Sequence, residues 1–340
     1  MIVEAIRRLA SAESLSREEA FAVMSAIMEG EATPAQIAAF VTALRMKGET
    51  SEEVCGLAQA MREHSLKVPV TRPSVVDTCG TGGARLKAFN ISTTAAFIAA
   101  GAGAAVAKHG NRAASSSCGS ADVLEALGVE IDLQPEQVGA IIDEVGIGFL
   151  FARTFHPAMK HAAAPRREIG IRTVFNILGP LTNPAGAKRQ VVGVFEEWGC
   201  ELLAGALLQL GAEHALVAHG RDGIDEIATF GETLIGEVKD GEVRMWTLRP
   251  QDVGLKPRRP EEIAGGDPAH NAEIFREVMA GGAPAAREIA CLNAGAALYV
   301  SGLAQSLEEG LGLADRAVSD GSAKDVFEAY RARTLAAGTP

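Results

Sequence analysis

At 340 residues the chain has room for two domains and a sizeable core, and its 47% hydrophobic and 22% charged residues exclude a disordered chain. A net charge of −11 argues against a surface built to grip nucleic acid or anionic membrane, although an anionic substrate would feel only the local field. Five scattered cysteines without a CxxC pair suggest neither a disulfide framework nor a cysteine zinc site.

The first 66 residues read as helices. Three starts are signalled by capping boxes: Ser16 to Glu19, Thr33-Pro34 to Gln36, and Thr50 to Glu53. Gly30 and Gly48 stand where helices should stop. Ile37, Phe40, Val41, Leu44 and Met46 form an apolar stripe of helical spacing. The N-terminal stretch lacks the long apolar region of a signal peptide. The longest apolar run, 13 residues from Ala95 to Ala107, is broken by Gly101 and Gly103 and too short to span a membrane. The expectation is a cytoplasmic protein.

The character changes near Pro69 to Pro73. Val75 to Thr78 reads as a buried strand running into the loop Gly80-Thr-Gly-Gly83. Asn90-Ile-Ser-Thr93 then caps an alanine-rich helix over 94–102. A short strand over 104–107 ends at Lys108-His-Gly-Asn-Arg112. Further strands are expected at 147–152, 191–195 and 215–218, with helices over 135–145 and 200–211. This alternation predicts an α/β domain with a largely parallel sheet. Residues 165–186, with Pro165, Pro180 and Pro184, read as a crossing back to the helical part. The stretch 269–335 reads as helical scaffold. No internal repeat or low-complexity tract is present.

Charge is unevenly distributed. Residues 78–121 contain no Asp or Glu but include Arg85, Lys87, Lys108 and Arg112. Residues 151–189 carry seven basic residues and a single acid, Glu168. A solvated basic face is the ordinary explanation of such a bias. Here the cations sit beside glycine-rich turns and helix starts, whose amides bind phosphate, so an anion site is expected.

The motifs differ in specificity. Gly80 to Gly83 matches neither GxGxxG nor the P-loop, and alone is equally a tight turn. Asn90 to Thr93 adds hydroxyls and a helix N-terminus beyond what a plain cap needs. Lys108 to Arg112 gathers an ammonium, an imidazole, an amide and a guanidinium at a strand end, a mixture a core cannot use without pairing. Asp225-Glu226, framed by Gly223, Ile224 and Ile227, is a pair that could hold Mg²⁺ together with substrate phosphates, although adjacent carboxylates are most often solvated. His156 and His161 show no metal-ligand spacing.

Taken together, these strings resemble the anthranilate phosphoribosyltransferase family over nearly the whole chain. The resemblance extends through Gly30 to Ile37, Leu44 to Thr50, Asp77 to Gly83, Phe89 to Thr93, Lys108 to Arg112, Gly119 to Gly128, Gly170 to Pro184 and Gly223 to Ile227. It implies a small N-terminal helical domain, residues 1–70 joined by about 165–186. A larger α/β domain of the nucleoside phosphorylase and phosphoribosyltransferase type would take residues 71–164 and 187–340, with the site in the cleft between. It implies displacement of pyrophosphate from phosphoribosyl pyrophosphate by the anthranilate amine, in tryptophan biosynthesis, with Mg²⁺ as cofactor. A homodimer is implied, and no nucleic-acid or membrane partner.

Carried over residue by residue, the resemblance implies that Gly80, Gly83, Asn90, Ile91, Ser92, Thr93 and Lys108 hold phosphoribosyl pyrophosphate, with Ser115, Ser116 and Ser120 nearby. Gly80, His109, Asn111 and Arg166 fall at anthranilate positions. Ser92, Asp225 and Glu226 fall at magnesium positions, and His109, Lys108 and Arg166 at catalytic ones. Three residues depart from the family pattern: Ala84 replaces an Asp, Ala88 a hydroxyl residue, and Ser117 a Lys or Arg. Lys87 or Arg85 is therefore expected to supply phosphate-binding charge. Two competing readings are a pyrimidine nucleoside phosphorylase, whose usual Lys-His-Ser-Thr-Gly-Gly string is absent, and a non-catalytic nucleic-acid-binding paralog, which the net charge and Asp225-Glu226 disfavour.

Overall fold

The computed structural model describes residues 1–113 and 117–338, so the expected site residues Ser115 and Ser116 lie outside the described residues. Four helices come first, Ile2–Ala10, Arg17–Met28, Pro34–Lys47 and Ser51–Glu63. All three expected capping boxes close. Each Ser or Thr hydroxyl accepts the amide three residues on, and the Glu or Gln there accepts the amide of the cap. Gly30 and Gly48 follow two of these helices with φ of +78° and +91°. Glu53 is fully buried and also accepts from Lys47 Nζ at 2.8 Å and Leu15 N at 3.0 Å, tying the helices together.

Seven strands form one sheet: β1 (Val76–Gly80), β2 (Val106–Gly110), β3 (Ile147–Phe151), β4 (Arg189–Gly193), β5 (His214–Gly220), β6 (Thr233–Lys239) and β7 (Glu242–Leu248). Their order is β3-β2-β1-β4-β5-β6-β7. β1 to β5 run parallel, and β6 and β7 are added antiparallel. The expected α/β class with a mainly parallel sheet holds. The strand read at 104–107 lies at Val106–Gly110, so Lys108 and His109 are strand residues rather than loop residues. The β6–β7 hairpin was not expected. It turns at Asp240-Gly241, with φ of +52° and +78°, the pair of positive φ that a two-residue hairpin turn demands.

Side chains alternate across the central strands and feed two cores. Val191 of β4 and Leu216 and Ala218 of β5 join the core packed by helices Ile91–Gly101, Pro284–Ser301 and Ser322–Gly338. Val192, Ala215 and Val217 point to the opposite face. There they pack with Phe40, Leu44 and Leu57 of the N-terminal helices, with Val174 and Leu181, and with Leu203 and Leu207 of helix Trp198–Gln209. Each such aliphatic or aromatic side chain contributes roughly 1.5–3 kcal/mol on burial. Arg62 Nε donates to Leu181 O at 2.6 Å, a further tie between the fourth helix and the connection before β4.

The chain winds from β1 outward through β2 to β3, then returns to place β4 on the other flank of β1. The winding direction therefore reverses between β1 and β4. In open α/β sheets ligands bind outside the carboxyl ends of the strands at such a point.

Candidate active site

A cavity of about 370 Å³ opens at that place. β1 delivers Gly80 to its floor, and the loop beyond is pinned by Thr81 N donating to Gly193 O at 2.8 Å. The Arg172 guanidinium covers Gly83. Its Nη2 donates to Gly83 O at 2.8 Å, and the group lies 4.4 Å from the Phe195 ring centroid. Gly83 has φ of +86°, a conformation that favours glycine, and a Cβ there would displace the Arg172 guanidinium. A Cβ on Gly193 would likewise overlap the Asp225 backbone, so that glycine lets the Asp225-Glu226 segment press against the sheet.

β2 delivers Lys108 and His109, both buried. Lys108 Nζ donates to Thr78 O and, at 3.4 Å, to Ser92 Oγ. Burial lowers its pKa, while the carboxylate of Asp77 acts to raise it. Asp77 is completely buried. It accepts His109 N at 3.0 Å and Asn183 Nδ2 at 2.8 Å, which locks the strand to the connection before β4. His109 Nδ1 lies 3.1 Å from Gly179 O and therefore carries the proton, leaving Nε2 as an acceptor without a partner among the described residues. Burial, together with His156 at 5.1 Å between ring centroids, pushes the His109 pKa down to about 3. The ring is neutral at physiological pH.

Helix Ile91–Gly101 points its N-terminus into the cavity. Asn90 occupies the N-cap position, but its side chain does not cap the helix. Instead, Ser92 N donates to Glu226 Oε1 at 3.1 Å, setting a carboxylate on the positive end of the helix. Burial raises the pKa of both Asp225 and Glu226. The adjacent Asp225 charge raises Glu226 further, to about 8, against the pull of Lys108 and Ser92. Two carboxylates thus converge on a cavity without enough positive charge from the protein to neutralise them.

The remaining expected residues also border the cavity. Gly80, Ile91, Thr93 and Ser120 line it, as do Asn111 and Arg166. Ser120 Oγ accepts Asn111 N at 3.1 Å, and Asn111 Oδ1 accepts Arg112 N at 2.8 Å, so the strand end is folded into a tight turn. Arg166, on helix Lys160–Ile169, stacks 5.0 Å from Phe175 and makes no ion pair among the described residues; burial lowers its pKa. Arg112 corrects the charge expectation. Its guanidinium is held by Asp122 at 3.2 Å and Glu125 at 2.7 Å, so it adds little net charge to the site. Lys87 lines the cavity, whereas Arg85 faces a separate cleft beside Arg221 and Asp222. Arg172, Phe195 and Asn176 also line the cavity, although none of them lies in a motif with a chemical signature of its own. Arg172 lies in the second acid-poor stretch, which was the one available signal.

Two family descriptions match the chain: "Glycosyl transferase family, helical bundle domain" over residues 3–65 and "Glycosyl transferase family, a/b domain" over residues 72–324. The chain is 53% identical to the anthranilate phosphoribosyltransferase of Anaeromyxobacter dehalogenans, covering 98% of this chain and 99% of the relative. It is also 53% identical to that of Rubrobacter xylanophilus, covering 97% and 96%. Among solved structures, the anthranilate phosphoribosyltransferase of Thermus thermophilus superposes with a TM-score of 0.92 at 46% identity, covering 97% of this chain and 99% of that one. The Saccharomyces cerevisiae enzyme in complex with PRPP and Mg gives a TM-score of 0.89 at 26% identity, covering 98% of each chain.

Fold and site together define a transferase of the glycosyl transferase class, with its cleft at the switch point of an α/β sheet. Within that class the chain belongs to the anthranilate phosphoribosyltransferase family. No helix among the described residues is long and apolar enough to cross a membrane.

Proposed function

We propose that this chain transfers the phosphoribosyl group of phosphoribosyl pyrophosphate to the amine of anthranilate, with Mg²⁺ bound and pyrophosphate released, in tryptophan biosynthesis. The observation that carries the reading is the convergence of Asp225, Glu226, Lys108 and a helix N-terminus on one cavity at the β1–β4 switch point, with Arg166 at its border. These groups suit a polyanion with a divalent cation.

The donor chemistry fits magnesium. Asp225 and Glu226 are both raised by burial, and Glu226 further by the Asp225 charge, as expected of carboxylates that would receive a cation. Among the described residues no cluster of three or more His, Cys, Asp or Glu side chains could hold a metal alone, so substrate oxygens would complete the shell. Asp225, Glu226 and the Ser92 hydroxyl are the proposed holders. When bound, the ion supplies stabilisation of the negative charge that develops on the departing pyrophosphate.

The chain's own groups do the rest. Lys108 and the amides of the Gly80–Gly83 loop and the helix start hold phosphate oxygens and stabilise the leaving group. Asn90, Ile91, Ser92, Thr93 and Ser120 line the same wall. Arg166 pairs the anthranilate carboxylate with two parallel hydrogen bonds, and Asn111 and His109 fix the ring. Because His109 is neutral and its Nδ1 is committed to Gly179 O, its proposed role is to accept a hydrogen bond at Nε2 rather than to supply charge. An aromatic amine is already unprotonated at neutral pH, so a strong base is unnecessary.

We also propose the division into residues 1–70 with 165–186 and the remainder, and a cytoplasmic homodimer. The family matches over residues 3–65 and 72–324 support the boundary near residue 70, and the packing of Val174 and Leu181 with the N-terminal helices supports joining 165–186 to them. The homodimer rests on the family resemblance. The test of the activity follows anthranilate fluorescence with phosphoribosyl pyrophosphate and Mg²⁺. A magnesium-dependent loss of signal is expected, and its absence would overturn the reading. Phosphorolysis of thymidine or uridine in its place would establish the nucleoside phosphorylase alternative.

A further inference from the structure

The segment behind the candidate phosphate wall comes from the part of the sequence that reads as scaffold. Residues 263–271 run along the loop that ends at Asn90. Gly265 N donates to Lys87 O at 3.0 Å, and Phe89 N donates to Ile263 O at 3.2 Å. At the end of this segment Asn271, on helix Pro268–Met279, is 2% exposed. Its partners fix which way its amide points. A backbone N–H can only donate, and Gly266 N meets Asn271 Oδ1 at 2.7 Å. The other end must therefore be Nδ2, and it donates to Asn90 Oδ1 at 2.9 Å. The Cys118 thiol donates to the same oxygen at 3.2 Å.

The direction of donation is thus passed from Gly266 through Asn271 to Asn90. With its oxygen engaged twice, Asn90 turns its Nδ2 the other way. That group meets Cys118 O only at a long 3.4 Å, and Asn90 lines the cavity. An asparagine amide occupies the same space when flipped, so shape alone does not determine which atom faces a ligand. Toward a phosphate the two choices differ in sign: one offers a donor, the other lone pairs.

We propose that Asn271 is a positioning residue for phosphoribosyl pyrophosphate, fixing the Asn90 amide so that its NH₂ group faces the phosphate. This rests on the proposed reading of Asn90 as a phosphoribosyl pyrophosphate contact. Asn271→Asp keeps the acceptor for Gly266 N but sets a carboxylate oxygen against Asn90. Asn90 then flips and turns its own oxygen to the cavity.

The expected result is a KM for phosphoribosyl pyrophosphate raised at least about tenfold, with kcat and the KM for anthranilate within about threefold of the unsubstituted enzyme. Asn271→Ala, which removes the instruction without reversing it, should give a smaller rise of the same kind. In an Asn90→Ala background, Asn271→Asp should add nothing further. A KM for phosphoribosyl pyrophosphate unchanged in both variants, or an undiminished effect in the Asn90→Ala background, overturns the proposal. Calorimetric titration with phosphoribosyl pyrophosphate alone separates this from the transfer reaction. An enzyme that binds it in an Asn271-dependent way yet transfers nothing to anthranilate would refute the transfer reading and leave the positioning role standing.

Discussion

Two half-buried polar clusters lie at opposite ends of the same sheet, and they are built on opposite principles. At the start of β5, Glu237 accepts from His214 Nε2 at 3.0 Å, Tyr299 OH at 2.9 Å and Trp246 Nε1 at 3.1 Å. Burial alone would raise its pKa, but these hydrogen bonds together hold it below the ordinary carboxylate value. At the carboxyl ends of β1 and β4, Asp225 and Glu226 are raised instead, both by burial and Glu226 further by the neighbouring Asp225 charge. Glu237 is a saturated acceptor and serves the fold. The other pair is left short of positive charge, the condition on which the proposed cation site depends.

Substitutions can break this contrast. The largest expected effect is at the site end. Glu226→Gln together with Asp225→Asn should lower kcat/KM by about a hundred- to a thousandfold while leaving the protein folded, as steady-state assays and thermal unfolding would read. Glu237→Gln at the remote cluster should do the reverse. It should cost about 1–3 kcal/mol in urea unfolding and leave kcat/KM unchanged. A comparable loss of activity from both would mean that the two clusters are not functionally distinct.

Acid sharpens the same comparison. Burial holds His109 at a pKa of about 3 and His156 at about 4, below their ordinary 6.5. Below pH 6.5 the unfolded chain therefore binds protons that the folded chain refuses. Each histidine should withdraw up to about 1.4 kcal/mol of stability per pH unit on acidification toward pH 4, while Glu226, raised to about 8, contributes in the opposite sense between pH 8 and 4.5. Glu237, with its depressed pKa, contributes stability that is present above pH 4.5 and lost below it. Comparing His156→Asn with the unsubstituted protein in denaturant unfolding at pH 7.5, 5.5 and 4 should thus isolate a loss that begins below pH 6.5, whereas the same comparison for Glu237→Gln should isolate a loss confined to pH below 4.5. The smallest effect is expected at the exposed loop. Lys87→Ala should raise the KM for phosphoribosyl pyrophosphate about threefold, and Arg85→Ala should leave it unchanged. Equal effects would show that facing the cavity does not matter.

Features with local causes were legible in the sequence. The capping boxes close because their partners are three residues apart, and β3, β4 and β5 carry short apolar runs beside glycines. The β6–β7 hairpin had a readable signal, Asp240-Gly241 between alternating apolar residues, but it escaped a reading focused on parallel units. Features that depend on distant partners were not legible. Arg112 looked like a free site cation because the acid-poor stretch stops one residue short of Asp122, which together with Glu125 neutralises it. Lys87 and Arg85 are two residues apart yet face different clefts. Asn271 meets Asn90 across 181 positions, and nothing near either residue announces the contact.

The core beneath the N-terminal helices also bears on how the chain is made. Phe40, Leu44 and Leu57 pack against Val174, Leu181, Val192 and Val217. A ribosome adding about 5–20 residues per second reaches Val217 roughly ten to thirty seconds after the fourth helix has been synthesised. Through that interval the four helices have their caps but not the other half of their core. The nascent chain presents an apolar helical face, which makes this the stage at which chaperone capture or premature self-association competes with folding.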